Sequence, residues 1–352
     1  MKRVNVLTFC TWTSLGSILQ AFGLTKTLES IGLESKLLLS EDENVFFVSR
    51  VTSLRSLLSR FFQVMVHRER RLSHHKRCNF IAQNLDVVTY CHYDDLTRIM
   101  SDNPDSCYLV GSDQIWHPER CYKHFFLEFV RNRKCISYAA SMGKTEIPEE
   151  NVGMFRSMLE RLDHISVREM QCKEALQPLT EKEIEVHIDP TFLLETDTWR
   201  KYEKEYPISQ PFILLYMIYW DPACKEEICE LKKRTGLPVY AICSGLSRVY
   251  ADRKLFDVGV EEFLWLVDHA EYVITSSFHG VALSTIFNKK FSAVVNPASP
   301  SRIQNLMSVL NIPEVSINQL DKTDRFDYDI ILERMAEERK KGMEYLKEVI
   351  SE

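Results

Sequence analysis

No window of this chain approaches the roughly 18 consecutive apolar residues of a membrane-spanning helix. Residues 4–9, VNVLTF, are too short for the apolar core of a secretion signal and fit a first core strand instead. Basic charge is lacking too. The 44 Lys and Arg against 50 Asp and Glu leave a formal net charge of −6. That balance argues against a dedicated nucleic-acid binder, which carries a strong basic excess. Ten cysteines occur, yet no two form a C-x-x-C pair. Scattered in this way, they suit a reducing compartment where the thiol serves as a small apolar residue. There is no G-x-G-x-x-G, no P-loop lysine and no short-period repeat. A water-soluble, cytoplasmic protein without a nucleic-acid partner is expected.

What the chain does have is alternation. In its C-terminal half, apolar strands at 211–219 (PFILLYMIY), 237–243, 271–275 and 291–296 alternate with helices at 223–235, 260–269, 281–288 and 302–310. In the N-terminal half, strands at 4–9, 35–39, 107–110, 134–139, 165–167 and 184–188 accompany helices at 17–30 and 150–162. Near-continuous apolar strands between helices mean parallel sheets covered on both faces. At 352 residues the chain can build two cores. The fold class expected is α/β, with two Rossmann-like domains facing across a cleft. The first spans 1–195 with a helical basic insertion at about 45–100, and a polar linker follows at 196–210. The second spans 211–326, and a charged amphipathic helix at 327–352 packs back across the junction.

The insertion stands apart. Residues 55–77 hold Arg55, Arg60, Arg68, Arg70, Arg71, Lys76 and Arg77 against one acid, Glu69, interleaved with Phe61, Phe62, Val64 and Met65. Two readings stay open, a solvated helix face and a surface for anionic membrane. His74, His75 and Cys78 have the composition of a metal cluster, but adjacent histidines cannot share one helical face, so no metal site is expected.

Residues able to do chemistry gather where strands end, which is the ligand-binding edge of open α/β sheets. Ile274-Thr275-Ser276-Ser277-Phe278-His279-Gly280 reads as a strand, a small-residue turn and a helix start. His279 is thereby placed against free helix N–H groups and a positive dipole end, which suit phosphate or carboxylate. Taken alone, the same histidine could simply be satisfied within a turn. After the first strand, Cys10-Thr11-Trp12-Thr13-Ser14-Leu15-Gly16-Ser17 offers small residues that let backbone approach a ligand. Gly111-Ser112-Asp113-Gln114-Ile115-Trp116 follows the third strand, with Asp113 as acid, base or helix cap. Ser137-Tyr138-Ala139-Ala140-Ser141-Met142-Gly143 is another small-residue turn. Arg168 follows Ile165-Ser166-Val167 and presents a planar fork for an anion, or for Glu169 or Glu174. Arg302 opens a later helix. Facing sheets would bring Arg168 from one side and His279 with Arg302 from the other, a lining that suits a small anionic donor.

Together these pieces, with Leu19-Gln20-Ala21, Asp189-Pro190-Thr191 and Ser301-Arg302-Ile303, resemble the polysaccharide pyruvyltransferase family in order and spacing over most of the chain. The resemblance implies a fold like that of GT-B glycosyltransferases. It also implies transfer of the enolpyruvyl carbons of phosphoenolpyruvate onto a sugar hydroxyl pair, giving a cyclic pyruvate ketal. Arg168 matches the family's arginine after the Ile-Ser-Val strand, and His279 its catalytic histidine. Arg302 falls where other members place a basic residue, often lysine. The chain departs from the pattern in its first loop, where Ser14-Leu15-Gly16-Ser17 replaces the more usual Asn-Tyr-Gly-Ala.

On this reading His279 is the general acid–base, and Arg168 and Arg302 clamp the donor's anionic groups. Gly16, Ser17, Asp113, Gln114, Ser141, Ser277 and Gly280 are the expected substrate contacts. Phosphoenolpyruvate is a donor substrate, and no metal or organic cofactor is required. The acceptor is a sugar of a surface polysaccharide or of its lipid-linked precursor, compatible with peripheral contact at the inner face of the membrane. A GT-B glycosyltransferase using a nucleotide sugar would share fold and cleft. A non-catalytic binding or scaffolding protein is the third reading, and the Arg168/His279 pair counts against it.

Overall fold

Runs such as Cys107–Val110 (CYLV) and Ile213–Tyr216 (ILLY) are apolar on both sides, so both sheet faces must be covered. The computed structural model describes residues 3–40, 57–90, 93–101, 106–120, 122–243, 249–297 and 301–351. Its first sheet contains β1 (Arg3–Leu7), β2 (Glu34–Ser40), β3 (Val87–Tyr90), β4 (Cys107–Val110) and β5 (Cys135–Ser137). They run parallel in the order β3-β2-β1-β4-β5. β6 (Ile165–Val167) and β7 (Ile184–Val186) pair with each other and join the edge at β5 through bridges from Ile136 to His164 and from Ala140 to Val167. The second sheet contains β8 (Ile213–Tyr216), β9 (Val239–Ile242), β10 (Arg253–Leu255), β11 (Tyr272–Thr275) and β12 (Lys290–Ala293). Its order is β10-β9-β8-β11-β12, again parallel.

The helices are α1 (Leu15–Ser30), α2 (Leu57–Asn84), α3 (Tyr93–Ser101), α4 (Glu149–Leu159), α5 (Met170–Leu176) and α6 (Thr196–Arg200) in the first half and its exit. Then come α7 (Cys224–Thr235), α8 (Val260–His269), α9 (Phe278–Ile286), α10 (Ser301–Val309) and α11 (Tyr328–Ser351). In each sheet the strand order reverses once, between β1 and β4 and between β8 and β11. Crossovers leave in opposite directions there, so a crevice opens at the C-terminal ends of those strands.

α1 is buried on almost every side, because it lies between its own sheet, the turn at Pro190–Leu193, and α8 and α9 of the other half. Its start is fixed by Ser14, whose hydroxyl accepts from the Ser17 N–H at 3.2 Å. α11 begins against the second half, where the Tyr328 hydroxyl meets the Lys289 carbonyl. It ends on the first, with Arg339 Nε donating to Phe192 O at 2.8 Å and the Tyr345 hydroxyl to Ser137 O at 2.9 Å.

Some segments differ from the sequence expectation. Residues 87–90 form an edge strand inside the stretch read as a helical insertion, because VVTY is short and only half buried and so lacks a core-strand pattern. β5 stops at Ser137 because Ala139 has a left-handed backbone (φ 49). The stretch at 196–210 carries α6 and a fully buried Trp199, whose Nε1 donates to Thr191 O at 3.0 Å.

The basic segment is not one solvated face. Arg55 lies outside the described residues. Arg68, Arg71, Leu72 and His75 are exposed on α2, whereas Ser73 and Arg77 are buried. Ser73 Oγ donates to Val258 O at 2.6 Å and Lys76 Nζ to Asp257 O at 2.8 Å. Arg77 donates to Val258 O and, through Nη1, to Trp12 O at 2.9 Å. Burial pushes the Arg77 guanidinium below its ordinary range. α2 therefore ties the loop after β1 to the second half of the molecule.

Candidate active site

β11 ends at Thr275, whose hydroxyl donates to Tyr216 O at 2.7 Å and accepts from the Ser277 N–H at 3.1 Å. Ser276 Oγ both accepts from Tyr219 N and donates to Tyr219 O, each at 2.8 Å. The turn before α9 is thus pinned to the end of β8, and His279 is held in the first turn of the helix. The Phe278 ring packs under the Arg168 guanidinium, 4.2 Å from its carbon. That cation–π contact links α9 to the end of β6 across the two halves.

Arg168 is almost wholly buried. Its Nη1 donates to Asp189 Oδ2 at 2.6 Å and to Ser112 Oγ at 3.3 Å, and its Nε to Glu169 Oε1 at 2.9 Å. Its Nη2 has no partner. Burial works against the guanidinium charge, but Glu169, Asp189 and Asp113 outweigh it and hold Arg168 more firmly protonated than usual. Arg302, at the start of α10, comes from the other side. With the Gln114 side-chain oxygen turned toward it, all three guanidinium nitrogens lie within 3.0 Å of that oxygen. Among the described residues no carboxylate pairs with Arg302. Burial, followed by the like charge of Arg168, pushes it below its ordinary range. Two guanidinium groups near one another, Arg168 buried with an unused fork arm and Arg302 half-buried, form a site for an anion.

His279 Nε2 is buried without a hydrogen bond and lies 3.8 Å from Asp189 Oδ2. Burial pushes the imidazole below its ordinary range, although Asp189 and Asp113 pull the other way. A narrow cavity of ≈ 30 Å³ opens beside these groups, lined by Arg168, Asp189, Phe278, Arg302, Asn305 and Glu338 among others. His279 borders this pocket through Asp189 and Phe278 rather than lining it.

The remaining expected contacts divide into two groups. Gly16 packs against the His279 ring. Asp113 takes a left-handed backbone (φ 74), and its carboxylate accepts from the Gln114 N–H at 2.8 Å. Ser141 Oγ donates to Glu169 Oε1 at 2.9 Å and so steadies the carboxylate beside Arg168. Ser17 and Gly280 have local structural roles. The Ser17 hydroxyl is used up inside the loop, donating to Thr11 O and Ser14 O and accepting from the Thr11 N–H. Gly280 is a packing glycine, since a Cβ there would lie 2.1 Å from Thr275 Oγ1. Ser277 is buried and serves as the N-cap residue of α9.

Sequence reasoning missed Asp189 as a member of the site. Its signal was available, because it follows the apolar run 184–188 at the same sheet edge that singled out Arg168. Arg77 gave no signal, since it reads as one more member of a basic run in which Arg68 and Arg71 are exposed. His74, expected to bind no metal, stacks on Trp12 at 4.2 Å, with its Nδ1 3.1 Å from Cys78 Sγ, while His75 is exposed. Among the described residues one other cluster, Glu203, Asp268 and His269, brings three potential ligand atoms within 4.8 Å. Arg200 and Lys289 already pair with Asp268 there.

Two parallel doubly wound sheets with a buried anion-seeking crevice define a GT-B-like two-domain α/β protein. The solved structures it is similar to have that architecture. They include the UDP-GlcNAc 2-epimerase from Neisseria meningitidis bound to UDP-GlcNAc, at TM-score 0.52 and 10% identity, covering 96% of this chain and 100% of that one. The UDP-GlcNAc 2-epimerase from Methanocaldococcus jannaschii gives TM-score 0.51 and 11% identity, over 96% of this chain and 92% of the other. At such identities the likeness is one of fold. No curated protein sequence matches the chain. The family model described as polysaccharide pyruvyl transferase matches residues 15–297, and the chain belongs to that family. It is accordingly a transferase of polysaccharide biosynthesis, acting on a sugar acceptor.

Proposed function

We propose that this protein moves the enolpyruvyl carbons of phosphoenolpyruvate onto two hydroxyls of a sugar, forming a cyclic pyruvate ketal and releasing phosphate. The observation that carries this reading is the pair of arginines, buried Arg168 and half-buried Arg302, beside His279, with Arg168 Nη2 and His279 Nε2 both lacking partners. A donor with one carboxylate and one phosphate supplies the acceptors those groups lack. Arg168 and Arg302 clamp the donor, and Asp113 and Gln114 orient it. His279 takes the proton from one acceptor hydroxyl and returns one to the methylene carbon as it becomes a methyl group, and the proton of the second hydroxyl leaves with the phosphate that it displaces. Positioned acid–base help of this kind is worth about 10²–10⁴ in rate. The chemistry calls on no metal or organic cofactor.

The acceptor in this proposal is a sugar of a surface polysaccharide or its lipid-linked precursor. Arg68, Arg71 and Leu72 on the outer face of α2 support peripheral contact with anionic membrane carrying such a precursor. No helix among the described residues is long and apolar enough to cross a membrane.

The test is phosphate release from phosphoenolpyruvate against a panel of sugar acceptors. Phosphoenolpyruvate alone is expected to raise Tm, because a ligand at a hundredfold excess over its Kd stabilises the folded state by about 2.7 kcal/mol. Consumption of a nucleotide sugar with release of the nucleotide would transfer the assignment to a glycosyltransferase.

A further inference from the structure

We propose that the cleft between Pro118–Glu119 and residues 144–148 is a second sugar subsite, holding the neutral sugar next to the one that receives the pyruvate. The acceptor is then at least a disaccharide. The proposal rests on reading the protein as a pyruvyltransferase and adds which part of the acceptor it recognises.

The cleft encloses ≈ 310 Å³ and is walled by the loops that follow β4 and β5. That volume lies at the lower end of the range of about 300–1,000 Å³ for small-molecule sites. The two walls are tied to each other and to the core. Trp116 N–H donates to Ser141 O at 3.1 Å, and Ser141 N–H to Asp113 O at 3.0 Å. The Trp116 ring is fully buried and stacked on Phe126, with Nε1 donating to Phe125 O at 2.9 Å. Asn151 Nδ2 donates to Pro118 O at 2.9 Å. A cleft with walls fixed in this way needs little ordering when a ligand enters.

The same loops join the cleft to the anion site. Gly143 has a left-handed backbone (φ 64), and a Cβ there would stand 2.6 Å from Gln114 Cδ. The oxygen of that Gln114 side chain receives the Arg302 guanidinium, and Lys144 is the next residue along the chain. His117 is half-buried between them, within electrostatic reach of Glu119, Lys144 and Arg302. A sugar in the cleft lies beside the donor rather than on it.

The lining suits a sugar, which presents C–H faces together with hydroxyls that both donate and accept. Pro118, Ile147 and Pro148 supply apolar surface for the first. Glu119 accepts and Lys144 donates for the second, their head groups 3.7 Å apart. An exposed ion pair of this kind holds little energy, so hydroxyls replace it at low cost. Glu119 and Glu146 outnumber Lys144 in the lining, which disfavours a phosphate. The charge balance therefore selects a neutral sugar over the diphosphate end of a nucleotide- or lipid-linked acceptor.

Kinetics with phosphoenolpyruvate should compare methyl glycosides of glucose, galactose, mannose and N-acetylglucosamine with disaccharides that end in each. The best disaccharide should exceed its monosaccharide in kcat/KM by about tenfold, the worth of one or two hydrogen bonds. Lys144→Ala and Glu119→Ala should each bring that ratio toward one, through the KM of the disaccharide. Thr145→Trp, at an exposed position, should do the same by filling the cleft. Equal kcat/KM for both substrates in the unmodified protein, or a ratio that none of the three substitutions lowers, would overturn the proposal. Calorimetric titration with the same disaccharides keeps the two levels of inference apart. Binding that weakens in Lys144→Ala, without phosphate release from phosphoenolpyruvate, supports the subsite and defeats the pyruvyltransferase reading. Phosphate release with a ratio of one defeats the subsite alone. Neither binding nor turnover with any member of the panel defeats both.

Discussion

A methyl group placed on Gly16 would stand 2.1 Å from Nδ1 of His279. The first turn of α1 and the imidazole at the start of α9 are therefore in contact across the two halves of the molecule, with no room for a side chain between them. A change at Gly16 is therefore a change at His279.

Gly16→Ala separates this contact from ordinary helix propensity. In an open helix position, alanine stabilises by roughly 0.5–1 kcal/mol relative to glycine. Here overpacking should destabilise by about 1–3 kcal/mol instead, with Tm falling in calorimetry and kcat falling more than donor affinity. A rise in Tm with full activity would mean that the ring yields freely.

Arg168 and His279 should fail in different ways. Arg168→Lys keeps the charge but loses the fork to Asp189, Glu169 and the donor. Donor Kd should rise by about one to two decades, from a loss of roughly 1.5–3 kcal/mol. His279→Gln should lower kcat by about two to four decades with donor Kd changed much less. Equal effects on Kd in both variants, measured by calorimetric titration, would contradict that division of labour.

Histidines also set the acid side of stability. Burial pushes His187 and His124 down to about 4 from an ordinary 6.5. Above pH 6.5 both are neutral whether the chain is folded or not. Between pH 6.5 and about 4 the unfolded chain takes up protons that the folded one refuses, so stability falls as pH falls. Each group contributes up to about 1.4 kcal/mol per pH unit in that window. His187→Gln should therefore flatten the dependence of Tm on pH between 6.5 and 4. An unchanged slope would show that His187 titrates normally.

Vesicle sedimentation tests the outer face of α2. Arg68→Gln with Arg71→Gln should weaken binding to anionic vesicles, and salt should weaken it in the unmodified protein. Arg77 does not belong in such a variant, because it is buried against Trp12 O and Val258 O. Turnover of a soluble acceptor should stay unchanged. If the unmodified protein ignores anionic vesicles at low salt, the membrane contact is wrong.

Most of the architecture was legible because the strands are too apolar for anything but a two-faced parallel sheet, as at 107–110, 213–216 and 272–275. β3 was hidden because an edge strand such as VVTY needs only one buried side. Within the site, Arg168, His279, Arg302 and Gln114 were visible at strand ends and helix starts, where local pattern and ligand geometry coincide. Ser17 and Gly280 sat in the same motifs and also serve their own loop and strand, Ser17 through its hydroxyl and Gly280 through its packing on Thr275. Asp189 carried a signal of place, at the end of the apolar run 184–188, but its pairing with Arg168 and His279, 21 and 90 positions away in sequence, leaves no periodic trace.

The return of α11 onto the first half bears on how such a protein can be recombined. Arg339 and Tyr345 bond to Phe192 O and Ser137 O, so the C-terminal residues belong structurally to the opening half of the chain. A chimera that exchanges acceptor preference by joining the front of one family member to the rear of another needs two junctions. The second falls before Tyr328, so that α11 travels with the half it covers.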